Sequence, residues 1–256
     1  MLHTIHYPPN IVSIIEALRF CTVTHTRPHI VAVSQTQAQL WQPHYPIQHV
    51  IHNGLDLDMI SYDSSHDGSL SFVGRMDPHK GIEDAIEVAT RLGKRLHIYG
   101  APLPCDIAYF EDCIQPLLHT HDNVTYHGSV HQRTLFDGLR KTQALLFPLK
   151  GQEAFGNVII EAMVAGVPVV MYDRGPAQEI IREGLCGYCV PADDIDAMAS
   201  AVEQTETFDR LACSHYAQEH FSIEECVNKY LDLYQSLILE AHLACSFKRK
   251  VLEKEA

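Results

Sequence analysis

Positive charge is scarce in this sequence of 256 residues: 19 Lys and Arg stand against 32 Asp and Glu, a formal net charge of −13. That balance argues against a general nucleic-acid surface or an anionic-membrane surface, and any bound phosphate would need a local cluster of cations. No apolar run approaches the roughly 18 to 20 residues that cross a bilayer, and the N-terminus has no signal-peptide core. With no secretory signal, the eight Cys read as reduced thiols of a cytoplasmic protein. Cys186-Gly187-Tyr188-Cys189 has the spacing of a redox or half-zinc motif, but no matching second pair exists. It reads instead as a glycine turn before a short strand. The 17 His include no H-E-x-x-H or related metal spacing, and neither a Walker loop nor a G-x-G-x-x-G fingerprint is present. Internal repeats and low-complexity segments are also missing.

What is present fits a globular α/β protein, 46% apolar and 20% charged, long enough for one large domain or two modest ones. Leu2 to His6 reads as a strand running into a Pro-Pro turn, followed by a weak helical pattern from Ile11 to Phe20. His29 to Ser34 is a short buried strand with Ser34 as a helix N-cap. Ile47 to Asn53 reads as another strand, closed by the turn dipeptide Asn53-Gly54. Residues 61–68, polar and without period, form the linker candidate and divide the chain into residues 1–62 and 63–256.

From Ser69 the rhythm becomes strand, helix, strand with short connections, which predicts a Rossmann-like doubly wound parallel sheet with helices on both faces. Strands are expected at 69–73, 96–99, 124–127, 143–148, 167–172 and 188–190. Helices are expected near 82–92, 107–118, 135–139, 156–165, 177–182, 193–204, 208–220 and 223–243. Pro116 disturbs the end of the 107–118 helix. The Lys248-Arg249-Lys250 run in the charged tail reads as a solvated helix end rather than a membrane contact.

Residues 143–172 organise the rest. A buried strand leads through a glycine-bearing loop into a helix that is apolar nearly all round, from Val158 to Ala165, and such a helix is covered on every side. Glu161 sits in its middle, where an unpaired carboxylate is costly. Glu153 lies in the loop that feeds the helix. At about 1.5 Å of rise per residue, Glu161 stands roughly 7 to 8 Å along the helix from Gly156. Two carboxylates so spaced suit different hydroxyl groups of one extended ligand, and backbone N–H groups at Gly156, Asn157 and Val158 suit a phosphate. The competing interpretation is that a buried Arg or a backbone amide caps Glu161 for the sake of the fold.

A second cluster, Gly74-Arg75-Met76-Asp77-Pro78-His79-Lys80-Gly81, follows the first strand of this sheet. Ligands of open α/β sheets sit beyond the C-terminal ends of the strands. Here Arg75 supplies a planar fork and Lys80 a point charge, a pair able to close on a diphosphate.

Four stretches in this order resemble the family 4 glycosyltransferases, retaining enzymes of GT-B fold, over about residues 3–235: V-I-H-N-G-L-D at 50–56, F-V-G-R-M-D-P-H-K-G at 72–81, N-V-T-Y-H-G at 123–128 and E-A-F-G-N-V-I-I-E-A-M-V-A-G-V-P-V-V at 153–170. The last is similar to that family's E-x7-E motif. The resemblance implies carbohydrate biosynthesis by transfer of a hexose-type sugar from a nucleotide-diphosphate donor, such as a UDP-sugar, with retention of configuration. It implies that Gly74, Arg75 and Lys80 hold the diphosphate and that Glu161 binds the ribose hydroxyls. Glu153, Ala154, Phe155, Gly156, Asn157 and Val158 would face the donor sugar. His127, Gly128 and Val130 would lie at the base, and His6 would reach the sugar from the other side. Arg75, Lys80, Glu153 and His6 are the catalytic set so implied. No cofactor and no metal are expected, and Asp56-Leu57-Asp58 reads as a chance Asp-x-Asp.

The family's fold has two Rossmann-like domains, and residues 1–62 match only the latter part of the first, without its glycine loop. The expectation is therefore a C-terminal nucleotide-sugar-binding half with a remnant of the acceptor-side domain. A partner chain or second copy would cover the shortened face, and the acceptor would be a glycan, lipid or small molecule. Cytoplasmic location is expected, with a peripheral position on the inner membrane face as the variant. The rival functions are a non-catalytic nucleotide-sugar-binding module or one half of a split transferase; an epimerase of the same fold is disfavoured by the paired motifs.

Overall fold

The computed structural model describes residues 2–9, 11–23 and 28–252. Two parallel sheets carry the chain. Strands β1 (Leu2–Ile5), β2 (His29–Ala32) and β3 (His49–Val50) make the first, in that order. Strands β4 (Leu70–Val73), β5 (Leu96–Tyr99), β6 (Val124–Gly128), β7 (Ala144–Phe147), β8 (Val169–Tyr172) and β9 (Gly187–Val190) make the second. Their order is β6-β5-β4-β7-β8-β9, so the chain winds outward from β4 in one direction and from β7 in the other. This is the doubly wound arrangement expected from the alternating strand and helix signals.

The helices are α1 (Val12–Val23), α2 (Gln35–Trp41), α3 (Ile82–Arg91), α4 (Ile107–Tyr109), α5 (Gln115–Thr120), α6 (Gln132–Leu139), α7 (Asn157–Val164), α8 (Ala177–Ile180), α9 (Ile195–Gln204), α10 (Arg210–Phe221) and α11 (Ile223–Leu252). Between α4 and α5 the backbone widens into a π-turn at Phe110–Ile114. Pro116 then falls in the first turn of α5, where a missing N–H is tolerated. The expected single helix is thus three pieces. The strand expected over 47–53 contracts to two residues, and α11 runs on to Leu252 instead of stopping near Leu243. The Lys248-Arg249-Lys250 side chains lie outside the described residues.

Residues of β7 and β8 are buried throughout, as strands covered on both faces must be. Leu70, Phe72, Leu146 and Tyr172 point to one face and pack with α3 and α9. Leu145, Phe147, Val169 and Met171 point to the other, where they meet α7 and α10. A smaller core of Ile5, Leu18, Ile30, Trp41 and Tyr45 lies under the first sheet. Residues 61–68 form no helix or strand, but they are pinned. Buried Arg210 donates to the carbonyls of Asp63 (2.9 Å), Thr142 (2.9 Å) and Arg140 (2.6 Å).

Several contacts hold the two sheets together. Leu55 exchanges backbone hydrogen bonds with Phe221 and Ile223 at the α10–α11 junction. There the chains approach so closely that a Cβ on Gly54 would stand 2.4 Å from Cys226 Cβ. Gly54, read from sequence as a turn residue, is required by this approach. Further along α11, the Tyr230 hydroxyl lies 2.7 Å from Thr4 Oγ1 of β1. Ser34, which caps α2 by accepting from Gln37 N, donates through its hydroxyl to Ala154 O at 2.7 Å.

Glu179 on α8 makes the densest of these links. It accepts from the backbone N–H groups of Gln35 (2.6 Å) and Thr36 (2.7 Å), from the Thr36 hydroxyl (2.8 Å) and from His52 Nε2 (3.3 Å). Burial alone would raise its pKa, yet hydrogen bonds from His52, Thr36 and Gln35 outweigh burial and lower it to about 2. A depressed carboxylate stabilises the fold above its ordinary pKa of 4.5, and that stabilisation is lost as pH falls toward about 2. Glu179→Gln is expected to lower stability by about 2 to 3 kcal/mol at neutral pH. Urea midpoints measured across the acid range should show the gap to wild type closing below the ordinary carboxylate pKa. A gap that stays constant would show that the charge contributes nothing.

Candidate functional site

The switch point of the six-stranded sheet lies between β4 and β7, whose chains leave toward opposite edges. A crevice opens just beyond their C-terminal ends, as the winding requires. Its cavity, about 370 Å³, is lined by Gly74, Arg75 and Lys80 from the turn after β4, and by Glu153 to Val158 from the loop entering α7. His6, Val33 and Asn53 line it from the side of the first sheet. Residues from five separate stretches of sequence thus share one space.

Close backbone approaches build the turn after β4. Gly81 caps α3 with φ of 70°, and a Cβ there would stand 2.0 Å from Pro148 O. Gly100 has φ of 130°, and a Cβ would lie 1.8 Å from Gly74 O. Only glycine fits both demands at either position. The turn is thereby pressed against the ends of β5 and β7, which places its cations. Arg75 is 55% exposed and ion-pairs with buried Asp77 at 3.2 Å. Lys80 is 15% exposed, lies 5.5 Å over the Phe147 ring, and ion-pairs with Glu153 Oε2 at 2.5 Å. The expected diphosphate cation and the expected sugar-facing carboxylate are therefore each other's partner in this structure.

At the head of α7, Gly156 takes φ of 86° and provides no side-chain cap. The N–H groups that begin the helix therefore have no side-chain acceptor at the crevice, where Asn157 and Val158 line the cavity. Asn157 Oδ1 accepts from Asn53 Nδ2 at 3.0 Å, bridging the crevice. In the sequence Asn53 reads as a strand end, half of a turn and part of the 50–56 stretch, with no site role of its own. Its second role depends on the distant Asn157, and no local pattern reports it. Phe155 borders the same cavity, but its ring is 2% exposed and packs on His52 (5.4 Å between centroids) and Phe221 (6.0 Å). That ring anchors the loop from behind, and what Phe155 offers the crevice is backbone.

A second cavity of about 410 Å³ shares Val73, Gly74 and Arg75 with the first and continues past Tyr99, Gly100, Ser129, Val130 and Leu135. Beyond Arg75 its walls are uncharged. Val130 lines it as expected, whereas His127 and Gly128 stand just outside. His127 stacks on Tyr99 with centroids 4.4 Å apart and rings 7° from parallel, and lies 3.1 Å from His97 Nδ1. Burial lowers the His127 pKa.

Glu161 is half-buried on α7, apart from both cavity walls, and burial raises its pKa. No Arg and no backbone amide caps it among the described residues, so the structural explanation for this carboxylate finds no support. Cys186 and Cys189 are free thiols. Burial pushes the first up to about 11 and the second up to about 12, which keeps both protonated and unreactive. Among the described residues no three His, Cys, Asp or Glu side chains converge as metal ligands.

These placements separate support from function. Phe155→Ala is expected to cost about 3 to 5 kcal/mol by removing a buried ring. Glu161→Gln is expected to leave stability within about 1 kcal/mol of wild type or to raise it, since an unpartnered, desolvated charge is removed. Denaturant titration of both variants decides, and a large loss for Glu161→Gln would return that residue to a role in the fold.

The model for glycosyl transferases group 1 matches residues 67–206, which takes in the six-stranded sheet and the crevice loops. An exopolysaccharide phosphotransferase of Streptomyces coelicolor is 30% identical over 177 residues, covering 64% of this chain and 18% of that protein. A D-inositol 3-phosphate glycosyltransferase of Mycolicibacterium smegmatis is 27% identical over 203 residues, covering 72% of this chain and 46% of the relative. The chain spans less than half the length of these two curated relatives. Among solved structures, Anabaena HepE in complex with UDP superposes with a TM-score of 0.78 at 16% identity, covering 92% of this chain and 72% of that one. A sucrose-phosphate synthase from Thermosynechococcus elongatus superposes with a TM-score of 0.76 at 20% identity, covering 93% and 68%. The fold is Rossmann-like α/β, as in these GT-B structures, and the chain belongs to the glycosyl transferases group 1 family.

Proposed function

We propose that the chain carries the donor side of a family 4 glycosyltransferase, which moves a hexose-type sugar from a nucleotide diphosphate to an acceptor with retention of configuration. The observation that carries this reading is the meeting of Arg75, Lys80, Glu153, His6 and the uncapped start of α7 around one crevice continuous with an uncharged chamber. In this reading residues 63–256 bind the donor and residues 1–62 belong to the acceptor side.

The uncharged chamber by Tyr99 and Val130 takes the base, and Glu161 takes the ribose hydroxyls. Arg75, Lys80 and the backbone N–H groups from Asn157 onward take the diphosphate, in accord with the affinity of a helix start for anions. The donor sugar then lies between Glu153 and His6. No side chain in the crevice is placed as a separate nucleophile with its own base, so attack comes from the face that the leaving group departs. The bond from the anomeric carbon to the phosphate oxygen breaks as the bond to the acceptor oxygen forms, and the leaving phosphate receives the acceptor proton. Arg75 and Lys80 neutralise the charge that grows on the leaving diphosphate, an electrostatic contribution largest in a site shielded from water. For the diphosphate to reach Lys80, the ion pair with Glu153 opens, which frees that carboxylate to meet a sugar hydroxyl.

Isothermal titration with UDP and with GDP tests this assignment. Micromolar binding of one nucleotide is expected, weakened at least about tenfold in Lys80→Ala and in Glu161→Ala, a loss of about 1.4 kcal/mol or more in each. Binding of neither nucleotide by the folded chain would overturn the reading.

A further inference from the structure

Beside the crevice lies a larger chamber of about 900 Å³, which shares Arg75, Lys80 and Glu153 with it. It also has walls of its own: Lys150 and His79 on one side, Tyr7, Pro8 and Ile11 on the other. The donor reading above leaves both walls without a task. We propose that this chamber takes the acceptor by a phosphate group, gripped by Lys150 and His79. The proposal rests on the donor reading only in naming the phosphate's bearer as the acceptor.

Charge placement is the first argument. In a chain of net charge −13, the walls of this chamber hold three Lys or Arg side chains, and of the carboxylates paired with them only Glu153 lines the chamber, Asp77 and Asp84 lying buried behind it. A donor diphosphate engages Arg75 and Lys80, and Lys150 is then the cation left over. Lys150 is not adrift in solvent. Its Nζ donates to Asp84 Oδ1 at 2.7 Å, and Asp84 is 6% exposed and held in turn by the Tyr172 hydroxyl at 2.7 Å. A buried carboxylate that cannot itself reach the chamber thus fixes the ammonium, whose remaining N–H donors are available to a ligand.

Backbone locking is the second argument. The N–H groups of Lys150 and Gly151 both donate to His79 O, at 2.8 and 3.1 Å. A Cβ on Gly151 would stand 2.6 Å from His79 Cβ. The two loops are therefore zipped together, and Lys150 and His79 are presented side by side. Opposite them, Tyr7 keeps its ring 59% exposed while its carbonyl is tied down by Trp41 Nε1 at 2.9 Å and Gln37 Nε2 at 3.1 Å. An exposed aromatic ring on a fixed backbone suits the apolar face of a sugar or polyol. A compact ammonium with an imidazole beside it suits a phosphate, which Lys meets as a point charge.

The test saturates the full chain with UDP so that the donor subsite is filled, then adds glycerol phosphate and follows broadening of its phosphorus NMR line. In parallel, phosphatidylcholine vesicles with and without phosphatidic acid are sedimented with the protein. Saturable broadening that survives UDP marks a soluble phosphorylated acceptor. Sedimentation that depends on phosphatidic acid marks a lipid phosphate headgroup. In either arm the effect is expected to weaken at least about fivefold, in Lys150→Gln and in His79→Gln, and to return in Lys150→Arg. His79→Gln touches an exposed side chain and keeps the test valid if the loss of the Asp84 partner unfolds Lys150→Gln. Absence of both effects in wild type, displacement of the phosphate by UDP, or unaltered binding in both Gln variants would overturn the proposal. If the chain binds no UDP, the donor reading fails separately, and the same variants decide phosphate binding without nucleotide.

Discussion

The carboxylate of Glu179 meets the first turn of α2 across the gap between the two sheets, and the shape of the crevice follows from that contact. α2 starts with backbone N–H groups that need acceptors, and Ser34 supplies only one of them. Glu179, carried on a helix of four residues in the other half of the molecule, supplies the rest. The partnership holds the first sheet at a fixed height over the loop that leads into α7. The Ser34 hydroxyl on Ala154 O and the Asn53–Asn157 bridge are short, directional contacts that operate only at that height. Along the other edge, Tyr230 on α11 reaches back to Thr4. The opening between the sheets is therefore bounded by contacts on several sides, and the side chains that line it are held in mutual register.

Within that frame, the places where local rules are broken gather at the crevice. Gly156 begins a helix without a capping side chain, and Gly81 does the same for α3. Glu161, farther along α7 and outside the cavity walls, stands half-buried without a partner among the described residues. Each departure is unfavourable for an isolated fold, and surrounding packing holds it in place. Tight burial of α7 on both flanks and the anchored ring of Phe155 provide that support. The result is a set of exposed N–H donors, cations and carboxylates on rigid backbone, suited to a ligand with several oxygen atoms.

Much of this architecture is legible in the sequence. The strand and helix rhythm from Ser69 onward gave the sheet, because strands buried on both faces leave continuous apolar runs and amphipathic helices leave a 3.6-residue period. The clusters at 74–81 and 153–161 stood out because their charges interrupt such runs. What remained hidden depends on partners far apart in sequence. Glu179 looks like any acidic residue in a short polar helix until α2 is brought against it. Arg210 looks like a solvated helix residue until Asp63, Arg140 and Thr142 present their carbonyls to it. Gly54 was legible as a turn but not as the point where α11 passes. β3 is short because it pairs with β2 only at Val31–His49 and Ala32–Val50. The length of α11 follows from a helical pattern that continues past the last residue with an obvious packing role.

The ion pair between Lys80 and Glu153 also bears on how the crevice meets solutes. The carboxylate acts as a resident anion and neutralises a cation that is mostly shielded from water. A simple ion must then compete with an intramolecular partner already in contact and already desolvated, and it gains little by exchange. A ligand with several anchoring points can displace that placeholder, because its other contacts repay the loss and the released carboxylate finds a hydroxyl in the same ligand. A partner so placed screens the cation from small anions, and on the proposed donor reading the pair opens only for a molecule that satisfies both of its members at once.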